Sequence, residues 1–135
     1  MRNGRFWSQL APDDPVKAFY VLGLLDGWEL RDRVPGDTNT DLIEAMAPRR
    51  NNLPIDLAKM LTLTYGEAEN LRLTVGWVVL GSMAVIRGDT DRERMLAALR
   101  KYLSEVEAGD SRTNGSQFSA YDVVKVISAL KHQKH

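Results

Sequence analysis

The sequence predicts an all-α fold: a single compact bundle of about six helices around a central apolar helix, Leu73–Ile86. The run Leu73–Ile86 carries no charged residue, and elsewhere apolar residues recur at spacings of three and four, as on one face of a helix. Start and stop signals bracket most of these segments, and no hairpin signal or internal repeat interrupts them. With 135 residues, of which 44% are hydrophobic, the chain has enough apolar surface for one core. We therefore expect residues 1–135 to form one domain.

The central run favours a buried helix over a strand or a membrane span. Its 14 residues exceed the usual strand of about 5–6 and fall short of the roughly 20 residues that span a bilayer. Thr74 suits the N-terminal cap, and Gly88 suits a left-handed C-terminal cap. Gly76 and Gly81 each cost a helix about 1 kcal/mol relative to alanine. Close approach of a neighbouring helix would offset that cost; a ligand slot lined by the glycines is the alternative.

A long helix near the start of the chain is predicted to begin at Pro15, with Asp14 as its cap, and to run to about Leu30. Its apolar side is expected to contain Val16, Phe19, Tyr20, Leu22, Leu24 and Leu25. Gly23 and Gly27 are four residues apart and share a face, so they are predicted to lie against the Leu73–Ile86 helix. Upstream, the adjacent aromatic residues Phe6 and Trp7 are expected to dock a short segment onto the core.

The remaining segments are also helical by their pattern. A short helix is predicted over Asp41–Ala47 and a longer one from Pro54 to Tyr65. Another continues to Ala108 behind a capping box made by Thr90 and Glu93. A last helix is expected from about Ser119, after a polar loop over residues 110–117.

Composition limits the function more than it defines it. The chain has no cysteine. Its 18 basic residues balance its 18 acidic residues, so we expect neither nucleic acid nor an anionic membrane as partner. No signal peptide is recognisable, which indicates the cytoplasm, or the periplasm if a signal has been removed. The two histidines, His132 and His135, stand in a polar tail, and we expect no metal and no other cofactor.

No catalytic motif is present. Phosphate-binding loops, metalloprotease and hydrolase motifs, calcium loops and dinucleotide fingerprints are all missing from the sequence. The clustered carboxylates stand at predicted helix starts and turns, where capping accounts for them. These observations argue against an enzyme without excluding one whose residues converge only in space.

Two stretches carry a family resemblance. FWSQLAPDDPVKAFYVLGLLDGWE (Phe6–Glu29) resembles the opening of small helical bacterial proteins, and LTYGEAENLRLTVGWVVLGSMAVIRG (Leu63–Gly88) is similar to a later segment of them. This group includes the type VI amidase immunity (Tai-like) proteins, which share the "YV.G..DG" pattern. The positions that the resemblance marks are Tyr20, Gly23, Asp26, Gly27, Tyr65 and Asn70. The chain departs from the immunity proteins in having no cysteine for their usual disulfide and no signal sequence.

Two functions are expected from these observations. The first is a non-catalytic interaction protein, inhibitor- or immunity-like, that binds a protein partner, with a homodimer as one form of it. An exposed patch containing Trp7, Trp28 or the helix after Ser119 would serve it. The alternative is a small-molecule binder or enzyme with a pocket between helices near Gly81. The candidate ligand- or partner-binding residues are Trp7, Tyr20, Asp26, Trp28, Tyr65, Asn70 and Trp77.

Overall fold

The computed structural model describes residues 3–10, 15–32, 53–108, 123, 125–127 and 129–130, with only the backbone of residues 28–32. Five α-helices have defined bounds: α1 Gly4–Ser8, α2 Pro15–Asp32, α3 Leu53–Tyr65, α4 Val75–Arg87 and α5 Arg92–Ala108. A short 3-10 helix, Ala68–Asn70, connects α3 to α4. Residues 123, 125–127 and 129–130 are also helical. Since no strand occurs among the described residues, the predicted all-α class is confirmed. The helix predicted at Asp41–Ala47 and the loop predicted at 110–117 lie outside them.

The helix ends follow local chemistry. Pro15 and Gly88 stand where they were predicted, and Gly88 adopts the left-handed conformation with a φ of 82°. The predicted capping box of Thr90 and Glu93 is wrong. The carboxylate of Asp91 accepts the backbone N–H of Arg94 at 2.8 Å, so the capping side chain belongs to the residue directly before α5.

The most deeply buried element is α4. Val75 and the unbroken run from Trp77 to Ala84 are all buried, so the prediction of a central apolar helix is confirmed. Helix α4 packs between α3 on one side and α5 on the other. Helix α3 also contacts α1, α2 and the 3-10 helix, and it therefore joins the two ends of the described bundle.

The predicted partner of α2 is wrong. Helix α2 packs mainly on α3, with Val21 and Leu25 buried between them. A Cβ atom added to Gly23 or Gly27 would meet no atom within 4 Å. The glycine face that was predicted to lie against α4 therefore points away from the core.

Candidate interaction surface

Trp7 holds α1 against α3. Its indole is 1% exposed, and Nε1 donates a hydrogen bond to the Thr62 hydroxyl at 3.0 Å. The ammonium of Lys17, a residue only 4% exposed, donates to the same hydroxyl at 3.2 Å and lies 5.2 Å from the centre of the Trp7 ring. The predicted docking of this segment is confirmed. The prediction that Trp7 belongs to an exposed patch is wrong, because its side chain is enclosed.

Tyr65 closes the same part of the core. Its hydroxyl donates to the Leu73 carbonyl at 2.8 Å, and its ring fills the space where a side chain on Gly4 would be. Burial, followed by the neighbouring Tyr20, raises the pKa of Tyr65 above its ordinary value. The phenol therefore stays neutral and serves as a hydrogen-bond donor inside the bundle.

Asn70 connects three elements. Its side-chain amide donates to the Thr64 carbonyl at 3.0 Å, and its amide oxygen accepts from the Arg100 guanidinium at 2.7 Å. The first bond gives a carbonyl in the last turn of α3 a second donor, beside the Glu67 backbone N–H at 3.2 Å. The second bond attaches the 3-10 helix to α5. Asn70 is buried, so both bonds have a structural role.

Ion pairs reinforce that attachment at the surface. The Arg92 guanidinium contacts the Glu67 carboxylate at 2.7 Å, and Arg100 lies 3.9 Å from Glu69. The hydrogen bond from Arg92 lowers the pKa of Glu67 below its ordinary value. These carboxylates are paired with arginines that fix the connection between α3 and α4.

Among the described residues, the space beside Gly81 is occupied by α5. A Cβ atom added there would lie 2.6 Å from Cγ and Sδ of Met95 and 3.4 Å from Leu99, both on α5. Trp77 is buried one turn earlier, with its ring 5.2 Å from that of Tyr102. The glycine allows α5 to approach α4 closely, as the packing interpretation predicts, and the ligand slot predicted at this point is filled by Met95.

The predicted site residues therefore do not form one cleft. Trp7 and Tyr65 are both buried where α1 meets α3, Asn70 and Trp77 are buried at other junctions, and Asp26 is exposed on α2. The half-buried Tyr20 lies beside Phe6, with ring centres 5.4 Å apart. The side chain of Trp28 lies outside the described residues. Whether any of the seven binds a partner stays a prediction.

Sequence reasoning missed the outward face of α2, which we define as Val16, Phe19, Gly23, Asp26 and Gly27. Phe19 is 69% exposed and Val16 is 50% exposed, although both were assigned to the apolar side of the helix. Asp26 and both glycines are also exposed. The signal was available in the sequence, because apolar residues surround α2 on more than one face. Helix α2 therefore carries more apolar surface than its contact with the core requires.

A second exposed apolar stripe lies on α3. Ile55 is 46% exposed and Leu63 is 63% exposed, and their spacing of eight positions places both on one side of the helix, with the exposed Lys59 midway. No exposed glycine interrupts this stripe within α3.

A groove of about 470 Å³ runs between α5 and the last described residues. We call it the α5 groove. The α5 wall consists of Arg94, Ala97, Ala98, Lys101, Tyr102 and Glu105. The opposite wall consists of Val126, Ala129 and Leu130.

The described residues contain no group of three or more His, Asp or Glu side chains placed to hold a metal ion. The helices described are also not long and apolar enough to cross a membrane.

Comparisons with known proteins identify no relative. No family model, no curated protein and no solved structure matches the chain.

Proposed function

We propose that the protein is a non-catalytic helical protein that acts by binding another protein through the outward face of α2. The observation that supports this most directly is the 69% exposure of Phe19 on the same face as two glycines, at which an added Cβ atom would meet no described atom within 4 Å. Single exposed apolar residues are common on soluble proteins. Two glycines inside a helix, at about 1 kcal/mol each, add a cost that nothing in the described bundle offsets. A helix packed onto this face would use them.

A second copy of the chain is the partner that the face fits. In an antiparallel two-fold pairing centred on Gly23, residues equally far before and after Gly23 lie opposite each other. Phe19 of one copy then faces Gly27 of the other, where open space can receive its ring. The face is therefore complementary to itself in shape.

The specific form of the proposal follows the family resemblance. An inhibitor- or immunity-like protein blocks a target by surface contact and needs no catalytic group. The marked residues Gly23, Asp26 and Gly27 all lie on the outward face of α2, and this coincidence supports the same surface. The target would be a protein. Either the homodimer or a monomer released from the homodimer would bind this target.

Light scattering after size exclusion, at low and high salt and over a range of concentrations, tests the self-association. We expect a dimer that persists at high salt, because the pairing is mainly apolar. Phe19→Ser is expected to give monomers. The matched control is Leu63→Ser on α3, which removes an equally exposed apolar side chain and should leave the dimer intact. Equal effects of the two substitutions would contradict the assignment to α2.

A variant that adds bulk separates this surface from fold stability. Gly23→Leu has room in the isolated chain and improves helix propensity, so its melting temperature should not fall. It should nevertheless abolish the dimer, because the side chain occupies the crossing point. If the wild-type protein is a monomer at every concentration, the homodimer proposal is wrong. Covalent cross-linking of a Phe19→Cys variant to a candidate target would then test the face itself.

A further inference from the structure

Helix α1 is attached to the bundle by a small set of contacts, mainly with α3 and the connection that follows it. The N–H of Gly4 donates to the Leu71 carbonyl at 2.9 Å, and Asn3 forms an antiparallel backbone bridge with Thr74. Within α1 only Gly4 and Trp7 are buried. The attachment therefore depends on one large side chain and a short stretch of backbone.

The surface that binds α1 is selective for its sequence. We call this surface the α1 site and define it as Lys17, Thr62, Tyr65, Leu71 and Thr74. The Tyr65 ring occupies the space that a side chain at the position of Gly4 would need. The Thr62 hydroxyl accepts the indole N–H of Trp7, and the Lys17 ammonium lies over the indole ring. A segment that binds here therefore needs a glycine followed, three residues later, by a tryptophan.

The pattern Gly-x-x-Trp, in which x is any residue, occurs once in the sequence, at Gly4–Trp7. The other two tryptophans, Trp28 and Trp77, do not follow a glycine at this spacing. A segment of this chain that fits the α1 site is therefore an α1 helix, either that of the same molecule or that of a second copy.

Helix α1 can make the same contacts from another molecule. Its five residues are too few to remain helical away from the bundle, so α1 and its contacts are lost together when it is released. A segment with so few buried side chains opens more readily than the core does. Only four residues, 11–14, separate its described part from α2. Exchange of a segment across a short connection is a common route to dimers.

We propose that the α1 site binds α1 of a second copy, so that two chains exchange this segment. Each copy then supplies Gly4 and Trp7 to the α1 site of the other, and a two-fold axis closes the pair. The contacts are those already made within one molecule, so exchange depends on protein concentration and changes no side-chain partner. The α1 site shares no residue with the outward face of α2, and the exchange does not rest on the dimer proposed there.

Disulfide trapping between two single-cysteine variants tests the exchange. The chain has no cysteine of its own, so Asn3→Cys and Thr74→Cys each provide one thiol. Side chains opposite each other in an antiparallel bridge lie about 5 Å apart at Cβ, close enough for a disulfide after a small adjustment. The two variants are mixed, incubated at high concentration and mildly oxidised. We expect a disulfide-linked heterodimer on non-reducing electrophoresis.

Controls separate exchange from random collision. Lys59→Cys in place of Thr74→Cys puts a more exposed thiol on α3, so collision alone would give more heterodimer with it, whereas exchange gives less. Trp7→Ala in the Asn3→Cys chain removes the anchor and should abolish most of the heterodimer. Gly23→Leu in both chains removes the α2 dimer, so a failure of that proposal does not affect this result.

The double variant Asn3→Cys and Thr74→Cys in one chain shows whether the pair can form a disulfide. If this variant forms its internal disulfide and the mixture of single variants gives no heterodimer, the exchange proposal is wrong. Equal heterodimer yields with Thr74→Cys and Lys59→Cys would also overturn it.

A synthetic peptide of residues 1–10 tests the α1 site without any cysteine. We expect one peptide to bind each Trp7→Ala chain, whose own α1 lacks its anchor, and to raise its melting temperature toward that of the wild type. The same peptide with valine in place of Gly4 should have no effect, because the added side chain meets the Tyr65 ring. If the Trp7→Ala chain does not fold, Trp7→Phe takes its place, since it keeps an aromatic ring and loses only the bond to Thr62. No binding of the peptide to a folded variant would overturn the proposal.

Discussion

Two glycines in this chain, Gly4 and Gly23, have opposite effects on stability, and the residue type alone does not reveal this. Gly4 lies under the Tyr65 ring, and its N–H donates to the Leu71 carbonyl at 2.9 Å. Gly23 has open space around it. The first is needed so that α1 can approach α3, whereas the second weakens α2 without any gain inside the described bundle.

The pair gives a matched prediction. Gly4→Ala should destabilise the fold by about 1–3 kcal/mol, because a methyl group overlaps the Tyr65 ring. Gly23→Ala should stabilise the monomer by about 0.5–1 kcal/mol through reduced backbone entropy of the unfolded chain. Urea denaturation at low protein concentration measures both. Destabilisation by Gly23→Ala would show that this glycine has a neighbour in the monomer.

Tyr65 makes stability depend on alkaline pH. Its pKa is raised in the folded state, so its contribution is complete below the ordinary tyrosine pKa of about 10 and is lost as pH rises toward the folded value. Tyr65→Phe removes the bond to Leu73 and should cost about 1–3 kcal/mol at neutral pH. The difference in unfolding free energy between the two proteins should shrink above about pH 10. A difference that stays constant to higher pH would contradict this assignment.

At the scale of elements, α2 shows why the site was harder to predict than the fold. The sequence predicted the start of α2 correctly and placed Val16 and Phe19 with the apolar residues. Which of its two apolar faces is buried depends on α3, whose position is separated from α2 by about 20 residues of sequence. The same dependence misled the prediction for Gly23 and Gly27. Periodicity identifies a helix but cannot choose between two apolar faces.

The connection between α3 and α4 depends on Asn70 in a way that can be measured. Asn70→Ala should cost about 1–3 kcal/mol, because it removes two side-chain hydrogen bonds, the one to the Thr64 carbonyl and the one from Arg100. Arg100→Gln, the control, removes only the half-exposed partner and should cost less. Thermal unfolding followed by circular dichroism compares them. If both variants lose the same stability, the contribution of Asn70 comes from its contact with Arg100 and not from its bond to the Thr64 carbonyl.

The neighbouring ion pair adds a small acid-sensitive contribution. The pKa of Glu67 is lowered, so its stabilisation is present above the ordinary glutamate pKa of about 4.3 and is lost as pH falls through the lowered folded value. Arg92→Gln should return the Glu67 pKa toward its ordinary value, as measured by carbon NMR of the side-chain carboxyl. An unchanged titration would show that Arg92 does not hold Glu67 in solution.

For the whole molecule, the class of fold and its central helix followed from the sequence. The uncharged run Leu73–Ile86 could be buried only as a helix, and Gly88 marked its end. The α5 groove could not be predicted in the same way. It requires Ala97 and Ala98 to face Val126 and Leu130, and small residues within a helix give no signal until the opposite wall is known.

Trp7 and Thr62 are separated by 55 residues, although they share a hydrogen bond. At a synthesis rate of about 5–20 residues per second, the ribosome needs roughly 3–11 s to add the chain between them. Throughout that interval the aromatic pair Phe6–Trp7 has left the site of synthesis before its binding surface exists. Every newly made molecule therefore passes through a period of seconds in which this apolar pair is open to chaperones or to other nascent chains, and slower translation lengthens it.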